Sequence, residues 1–81
     1  MATEEQVVFD AIADPVRRAI LRSVAGGPRR VVDIADEHPI SRPAISRHLR
    51  VLVEAGLVDV EERGRERHYR LRRAPLRFVG Q

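Results

Sequence analysis

The chain has no cysteine and no lysine, and only three aromatic residues, Phe9, Tyr69 and Phe78. Each shortage excludes something. Without thiols there is no disulfide staple, thiolate-held zinc, iron–sulfur cluster or cysteine nucleophile. Absent cysteine also fits a reducing cytoplasm. Three aromatics are too few for a base-stacking platform on single-stranded nucleic acid. No run of about 18 apolar residues occurs, so no membrane span is expected. The opening stretch MATEEQVVFDAIAD carries acids where a signal peptide carries basic residues, and no targeting segment is read there. The G-x-S-x-G, H-E-x-x-H and P-loop patterns are missing, so no enzyme is expected.

What remains is 81 residues, 43% hydrophobic and 33% charged, a globular balance. That is room for one domain, expected over residues 1–81. A chain this short buries only roughly 60% of its unfolded surface. With no staple available, oligomerisation is the expected support. All 15 cations are arginine, a bias that GC-rich codon usage alone produces, although arginine also binds phosphates and base edges bidentately where lysine cannot. Residues 1–40 hold five arginines and seven acids; residues 41–81 hold ten and five, so the balance moves from −2 to +5. Between Arg63 and Arg77 stand seven arginines and one acid, Glu66. A basic C-terminal half suggests a polyanionic partner, although a charge run is more often a solvated face.

Helix signals come first along the chain. Thr3-Glu4-Glu5-Gln6 has capping-box spacing. The next segment, from Val7 to Ala13, is apolar nearly all round and should be buried on more than one side, one of them facing a second subunit. Asp14-Pro15 restarts the chain with a cap and a first-turn proline. Val16, Ile20, Leu21 and Val24 then follow helical spacing, with Arg17, Arg18 and Arg22 outside, and Gly26-Gly27-Pro28 ends the helix. A short third helix is expected at 31–37, and a fourth at 41–55 behind the cap Ser41. In the fourth, Ile45, Leu49, Leu52 and Val53 form one buried stripe. Pro43, Arg47, Arg50 and Glu54 project opposite, with Ser46 on the flank and Gly56 as C-cap. Two alternating segments, 57–61 and 67–72, flank the Gly-containing turn 62–66 and read as a hairpin. Pro75 can open a last short helix at 76–79.

Two helices joined by a tight turn make a helix-turn-helix, here 31–55, and a basic hairpin directly behind, 57–72, makes it a winged one. The expected fold class is mainly α with a small β-hairpin (α+β): four helices, two strands and a short fifth helix. The second helix of the pair offers Arg42, Ser46, Arg47 and Arg50 outward, residue types that donate to guanine edges and phosphates. A major groove about 12 Å wide admits one such helix. The hairpin tip carries Arg63 and Arg65, flanked by Arg67, in reach of a backbone or minor groove, although an edge hairpin kept soluble by charge would look similar.

From about Phe9 to Leu71 these residues resemble the ArsR/SmtB family of winged-helix repressors. The matching stretches are Ala13-Asp14-Pro15-Val16-Arg17-Arg18-Ala19-Ile20-Leu21, Ile40-Ser41-Arg42-Pro43-Ala44-Ile45-Ser46-Arg47-His48-Leu49-Arg50-Val51-Leu52 and Glu54-Ala55-Gly56-Leu57-Val58. The wing Arg63-Gly64-Arg65 followed by Tyr69-Arg70-Leu71 fits as well. The resemblance implies a homodimeric cytoplasmic repressor binding an inverted repeat in double-stranded DNA. On matching positions Ser41, Arg42, Pro43, Ser46 and Arg47 would face DNA, with Arg63 and Arg65 as wing contacts. Arg50 and Arg67 join that set from the charge pattern. His48 matches a frequent family histidine and borders the buried stripe, which leaves a structural hydrogen bond and a DNA contact equally open. The first and last helices would form the dimer interface, through Val7, Val8, Phe9, Ile12, Leu76 and Val79.

The departures bear on mechanism. The third helix, Val31-Val32-Asp33-Ile34-Ala35-Asp36, has no thiol for the family's Cys-rich metal site. The stretch before Gln81 lacks the His and Asp ligands of its C-terminal zinc site. No metal and no cofactor is expected, and the sequence looks like the metal-independent members. The last helix is short for the family. Either the chain is part of a longer protein, or dimerisation rests mainly on the first helix. His38, His48 and His68 fall on a turn, a helix and a strand and read as unrelated. Two alternatives stand beside the DNA-binding repressor: a winged-helix protein-interaction module, which would favour apolar anchors on the face of 41–55, and a metal-responsive repressor.

Overall fold

Each of the longer helices starts on a short polar residue whose oxygen takes an amide the helix itself cannot satisfy. In the computed structural model, which describes residues 3–72, Thr3 Oγ1 accepts from Gln6 N (3.1 Å) ahead of α1 (Glu4–Ala13). The capping box is only half made, because the Gln6 side chain turns forward to Asp10 (2.9 Å). Asp14 Oδ1 accepts from Val16 N (2.7 Å) and Arg17 N (3.2 Å) ahead of α2 (Pro15–Ala25). Ser41 Oγ accepts from Ala44 N (3.3 Å) ahead of α4 (Arg42–Glu54). Between them lies α3 (Val31–Asp36).

The far end of α4 closes on a Schellman motif. Leu57 N donates to Leu52 O and Gly56 N to Val53 O, each at 3.0 Å. Ala55 is the C-cap, and Gly56 sits one position beyond it at φ +77°, a left-handed conformation that favours glycine. The motif turns the chain directly into β2 (Val58–Arg63), which pairs antiparallel with β3 (Glu66–Leu71). Their link is shorter than the sequence suggests: two residues, Gly64-Arg65. Gly64 has φ +63° and Arg65 does not share a positive φ, as in a type II′ turn.

One strand escaped the sequence reading. Arg29 and Arg30 form β1, paired antiparallel with β3 through Arg29↔Tyr69 and Arg30↔His68, so the sheet has three strands in the order β1-β3-β2. Two consecutive arginines carry no strand periodicity, and only the partner strand defines them.

The core joins one residue or more from each longer element: Ala11, Ile20, Val24, Ile34, Ile45, Leu49, Leu52, Val58 and Tyr69. The α4 stripe Ile45, Leu49 and Leu52 is wholly enclosed, and Val53 packs against it. The first helix departs from expectation: Ala11 is its one buried residue, Val7, Val8 and Ile12 are half-buried, and Phe9 is 63% exposed. Within one protomer, that helix is enclosed on one side only. The expected helix at 76–79, with Leu76 and Val79, lies outside the described residues.

Candidate nucleic-acid interface

Because α4 buries Ile45, Leu49 and Leu52, helical geometry fixes what faces out. Arg42, Pro43, Ser46, Arg47, Arg50 and Glu54 are all exposed, and so is the cap Ser41. No hydrogen bond or ion pair engages Arg42, Arg47 or Arg50 among the described residues. The first turn of α4 contains no acid, so its partial positive end is not neutralised from within. Ser41 already spends its oxygen on capping, and its hydroxyl proton remains available to an acceptor. This face can donate to an anionic, acceptor-rich surface along three helical turns.

The hairpin is different. Arg63 Nε is 3.1 Å from Glu61 Oε1, and Arg67 Nε is 3.8 Å from Glu62 Oε1. The Arg63 guanidinium holds the Glu61 carboxyl below its ordinary range by hydrogen bond and charge. Arg65, in the turn, is exposed and has no such partner among the described residues. Between α4 and the hairpin runs a notch of about 430 Å³. Ser46, Arg50, Val53 and Glu54 line it from the helix, and Val60, Arg67 and Tyr69 from the sheet.

The hairpin is tied to the first helix of the helix-turn-helix through β1. Arg30 reaches Glu66 Oε2 (2.9 Å) with Nη1 and holds Asp33 Oδ2 (3.1 Å) with Nε. Hydrogen bonds to Arg30 lower the Asp33 and Glu66 carboxyls. The same pair of acids raises Arg30 further above its usual value. His68 Nε2 lies 3.3 Å from Glu66 Oε1, and His38 Nε2 lies 3.4 Å from Ser23 Oγ, so neither joins the α4 face. His48 is half-buried, with Nδ1 3.3 Å from Arg17 Nη1. Among the described residues no group of three possible metal ligands occurs.

Sequence reasoning placed Arg17 and Arg18 on the solvent side of α2. The structure folds both back onto the end of α1, where Arg17 donates to the Asp10 and Ala11 carbonyls and Arg18 to those of Ile12 and Ala13. A usable signal was present: no basic residue stands in the last turn of α1, which leaves its end carbonyls open to cations that follow closely in the chain. On the sheet surface Arg72 pairs with Asp59 at 2.8 Å.

Residues 14–60 match the sequence profile of the family described as bacterial regulatory protein, arsR family. The chain belongs to the ArsR family. It is 46% identical over 63 residues to the HTH-type transcriptional regulator Rv2034 of Mycobacterium tuberculosis, across 78% of this chain and 59% of that protein. It is 42% identical over 64 residues to the transcriptional repressor SdpR of Bacillus subtilis, across 79% and 71%. The chain thus spans just under three fifths of the first of these relatives and about seven tenths of the second. Among solved structures, an ArsR-like transcriptional regulator from Rhodococcus sp. RHA1 superposes with TM-score 0.82 at 32% identity, over 95% of this chain and 68% of that one. The homodimeric winged helix-turn-helix DNA-binding domain of Mb0332 from Mycobacterium bovis gives 0.80 at 31%, over 84% and 63%. The fold is therefore the family's winged helix-turn-helix. The family match includes the whole α4 face and stops short of the hairpin tip.

Proposed function

We propose that this chain is a single-domain, non-enzymatic regulator of transcription that binds a specific double-stranded DNA sequence as a homodimer and acts as a repressor on an inverted repeat. The observation that carries the reading is the outward face of α4: Arg42, Ser46, Arg47 and Arg50 are exposed without an acidic partner among the described residues, over an unneutralised helix N-terminus. On this reading α4 enters the major groove. Ser41, Arg42, Pro43, Ser46, Arg47 and Arg50 lie against bases and adjacent phosphates, and Arg63, Arg65 and Arg67 against the backbone or the neighbouring minor groove. The names of its relatives support a regulator, and SdpR is itself named a repressor.

The dimer half of the reading rests on α1. An aromatic side chain 63% exposed beside half-buried Val7, Val8 and Ile12 is what a helix shows when its second partner is missing. The relative from Mycobacterium bovis is described as homodimeric. Two α4 helices in successive major grooves would read half-sites about 34–36 Å apart. No metal or cofactor enters the scheme. The cytoplasm is the proposed compartment, in keeping with a cysteine-free chain.

The test is selection from a random duplex pool at fixed, near-physiological salt. Enrichment of an inverted repeat is the expected result. Binding without enrichment, vanishing as salt rises, would leave only a basic surface and favour docking on a protein instead. Sedimentation at about tens of micromolar should give a dimer, the concentration range in which a weak interface would already populate it.

A further inference from the structure

Helix α1 leaves its last four carbonyls, those of Asp10, Ala11, Ile12 and Ala13, without intrahelical partners. Two adjacent side chains of α2 satisfy all four. Arg17 Nη2 donates to Asp10 O (2.9 Å) and Arg17 Nε to Ala11 O (2.8 Å). Arg18 Nη1 donates to Ile12 O (2.8 Å) and Ala13 O (3.0 Å). The two arginines then differ. Arg18 ends there, in solvent. Arg17 is 18% exposed, and its remaining Nη1 points across to α4, 3.3 Å from His48 Nδ1. One guanidinium thus touches the helix that carries the exposed Phe9 and the helix that carries the arginine face.

A guanidinium only donates, so His48 Nδ1 can answer only with a lone pair. That requires a neutral imidazole protonated on Nε2. Protonation of Nδ1 would set cation against cation at the same spot. Two charged groups face the ring from α2: the Arg17 guanidinium and the Asp14 carboxylate. Burial pushes the Asp14 carboxyl up, but the net shift is downward, through amide donors from Arg17 and Val16 and the charge of Arg17. Asp14 is therefore ionised throughout the range in which imidazoles titrate. On α4 itself the residues three and four positions away, Ala44, Ile45, Val51 and Leu52, bring no titratable group.

We propose that Arg17 and His48 form a positioning strut, which fixes the recognition helix against the end of α1 and holds only while His48 is neutral. The inference rests on the DNA-binding reading above. It makes His48 a positioning residue that does not touch DNA. In a dimer joined through α1, the α1–α4 relation sets how far apart the two recognition faces lie. A broken strut costs affinity for the paired half-sites without removing a phosphate contact.

The experiment compares the full chain with His48→Asn on the selected operator, at fixed salt, between pH 8 and pH 5.5. The Asn amide oxygen takes the place of Nδ1 and does not titrate. Wild type is expected to lose about tenfold in affinity or more toward acid. His48→Asn should hold within about twofold over that range and keep the wild-type salt slope, since only phosphate contacts set that slope. A wild-type pH profile in His48→Asn would overturn the strut. So would a salt slope smaller by about one unit, which would make His48 a phosphate contact. A second measurement needs neither DNA nor a variant: nitrogen NMR of wild-type His48 at pH 8 should report the Nε2–H tautomer. The Nδ1–H tautomer would overturn the proposal. If the pool yields no operator, the DNA reading falls, while the tautomer still decides the strut.

Discussion

Arginine does opposite things at the two ends of the α2–α4 pair. At the junction of α1 and α2, Arg17 and Arg18 are both engaged, between them holding four backbone carbonyls at 2.8–3.0 Å. On the outer face of α4, Arg42, Arg47 and Arg50 engage nothing among the described residues. Exposure does not separate the groups, because Arg18 and Arg47 are both exposed. What separates them is an unmet acceptor within reach. A helix end leaves carbonyls that a neighbouring cation satisfies, whereas a helix face has already used its backbone groups. In a chain whose cations are all arginine, charge density alone cannot tell structure from function, and the hydrogen-bond partners can.

The comparison breaks first at Arg17. Arg17→Ala removes two bonds to backbone carbonyls and the contact with His48 from a charged donor in a half-buried site, and should cost about 2–3 kcal/mol of stability. In a domain of this size that lowers the thermal midpoint by more than about 8 °C. Arg18→Ala, at an exposed site, should cost about 1 kcal/mol or less. A midpoint for Arg17→Ala within a degree of wild type would mean that water replaces the side chain, and the structural half of the contrast would be lost.

Arg47→Ala should give the reverse pattern. Its folding stability should stay within about 0.5 kcal/mol of wild type. Affinity for the selected operator should fall by about 1–3 kcal/mol, with relaxed preference at one base pair, if the side chain reads a guanine. Operator titrations with single-position substitutions would show it. Unchanged affinity at the correct site would remove Arg47 from the reading face and leave an arginine that merely faces water.

A smaller effect divides the hairpin internally. Arg65 is uncommitted at the turn, while Arg63 and Arg67 already face Glu61 and Glu62. Arg65→Ala should flatten the salt dependence of binding by about one unit. Arg63→Ala should flatten it less, because releasing its carboxylate partner offsets part of any phosphate contact. Equal slopes for the two variants would mean that the ion pairs dissolve on binding and that pairing within the hairpin says nothing about contact with DNA.

Much of this was legible beforehand, for reasons that lie in the chain. The stripe Ile45, Leu49 and Leu52 has strict helical spacing, and its burial fixes the opposite face. Thr3, Asp14 and Ser41 announce the helix starts, and Gly64 the hairpin turn. The ordered stretches Ala13 to Leu21, Ile40 to Leu52 and Glu54 to Val58, with the wing behind them, together carried the family. Other features depend on contacts distant in sequence. Strand β1 exists because His68 and Tyr69 pair with it, 38 or more positions away. The second role of Arg17 depends on His48, 31 positions on. Nothing in the local pattern of either residue reports the other. Phe9 belongs to a third kind. The sequence marked it as apolar on an apolar helix, the single chain leaves it 63% exposed, and only the proposed dimer would cover it.

The smallest expected effect is acidic, and four of the five lowered carboxyls answer to hydrogen bonds from arginine side chains. Hydrogen bonds from Arg30 lower Asp33 and Glu66, one from Arg29 lowers Glu37, and one from Arg63 lowers Glu61. A carboxylate whose folded-state pKa lies below its unfolded value adds stability that is complete above the ordinary carboxylate range. That stability is lost as pH falls through the depressed value. The sign is therefore a loss of stability on acidification, beginning below about pH 4.5. Solvent screens all four groups, so the change belongs to a few degrees of thermal midpoint, not to collapse. Arg30→Ala should make the acid limb shallower, since Asp33 and Glu66 both lose their donor. Arg47→Ala should leave that limb as it is, because no acid among the described residues answers to Arg47. An acid limb that Arg30→Ala leaves untouched would mean that the Asp33–Arg30–Glu66 bridge between α3 and the hairpin adds nothing to stability in solution, and that committed and uncommitted arginines differ in geometry alone.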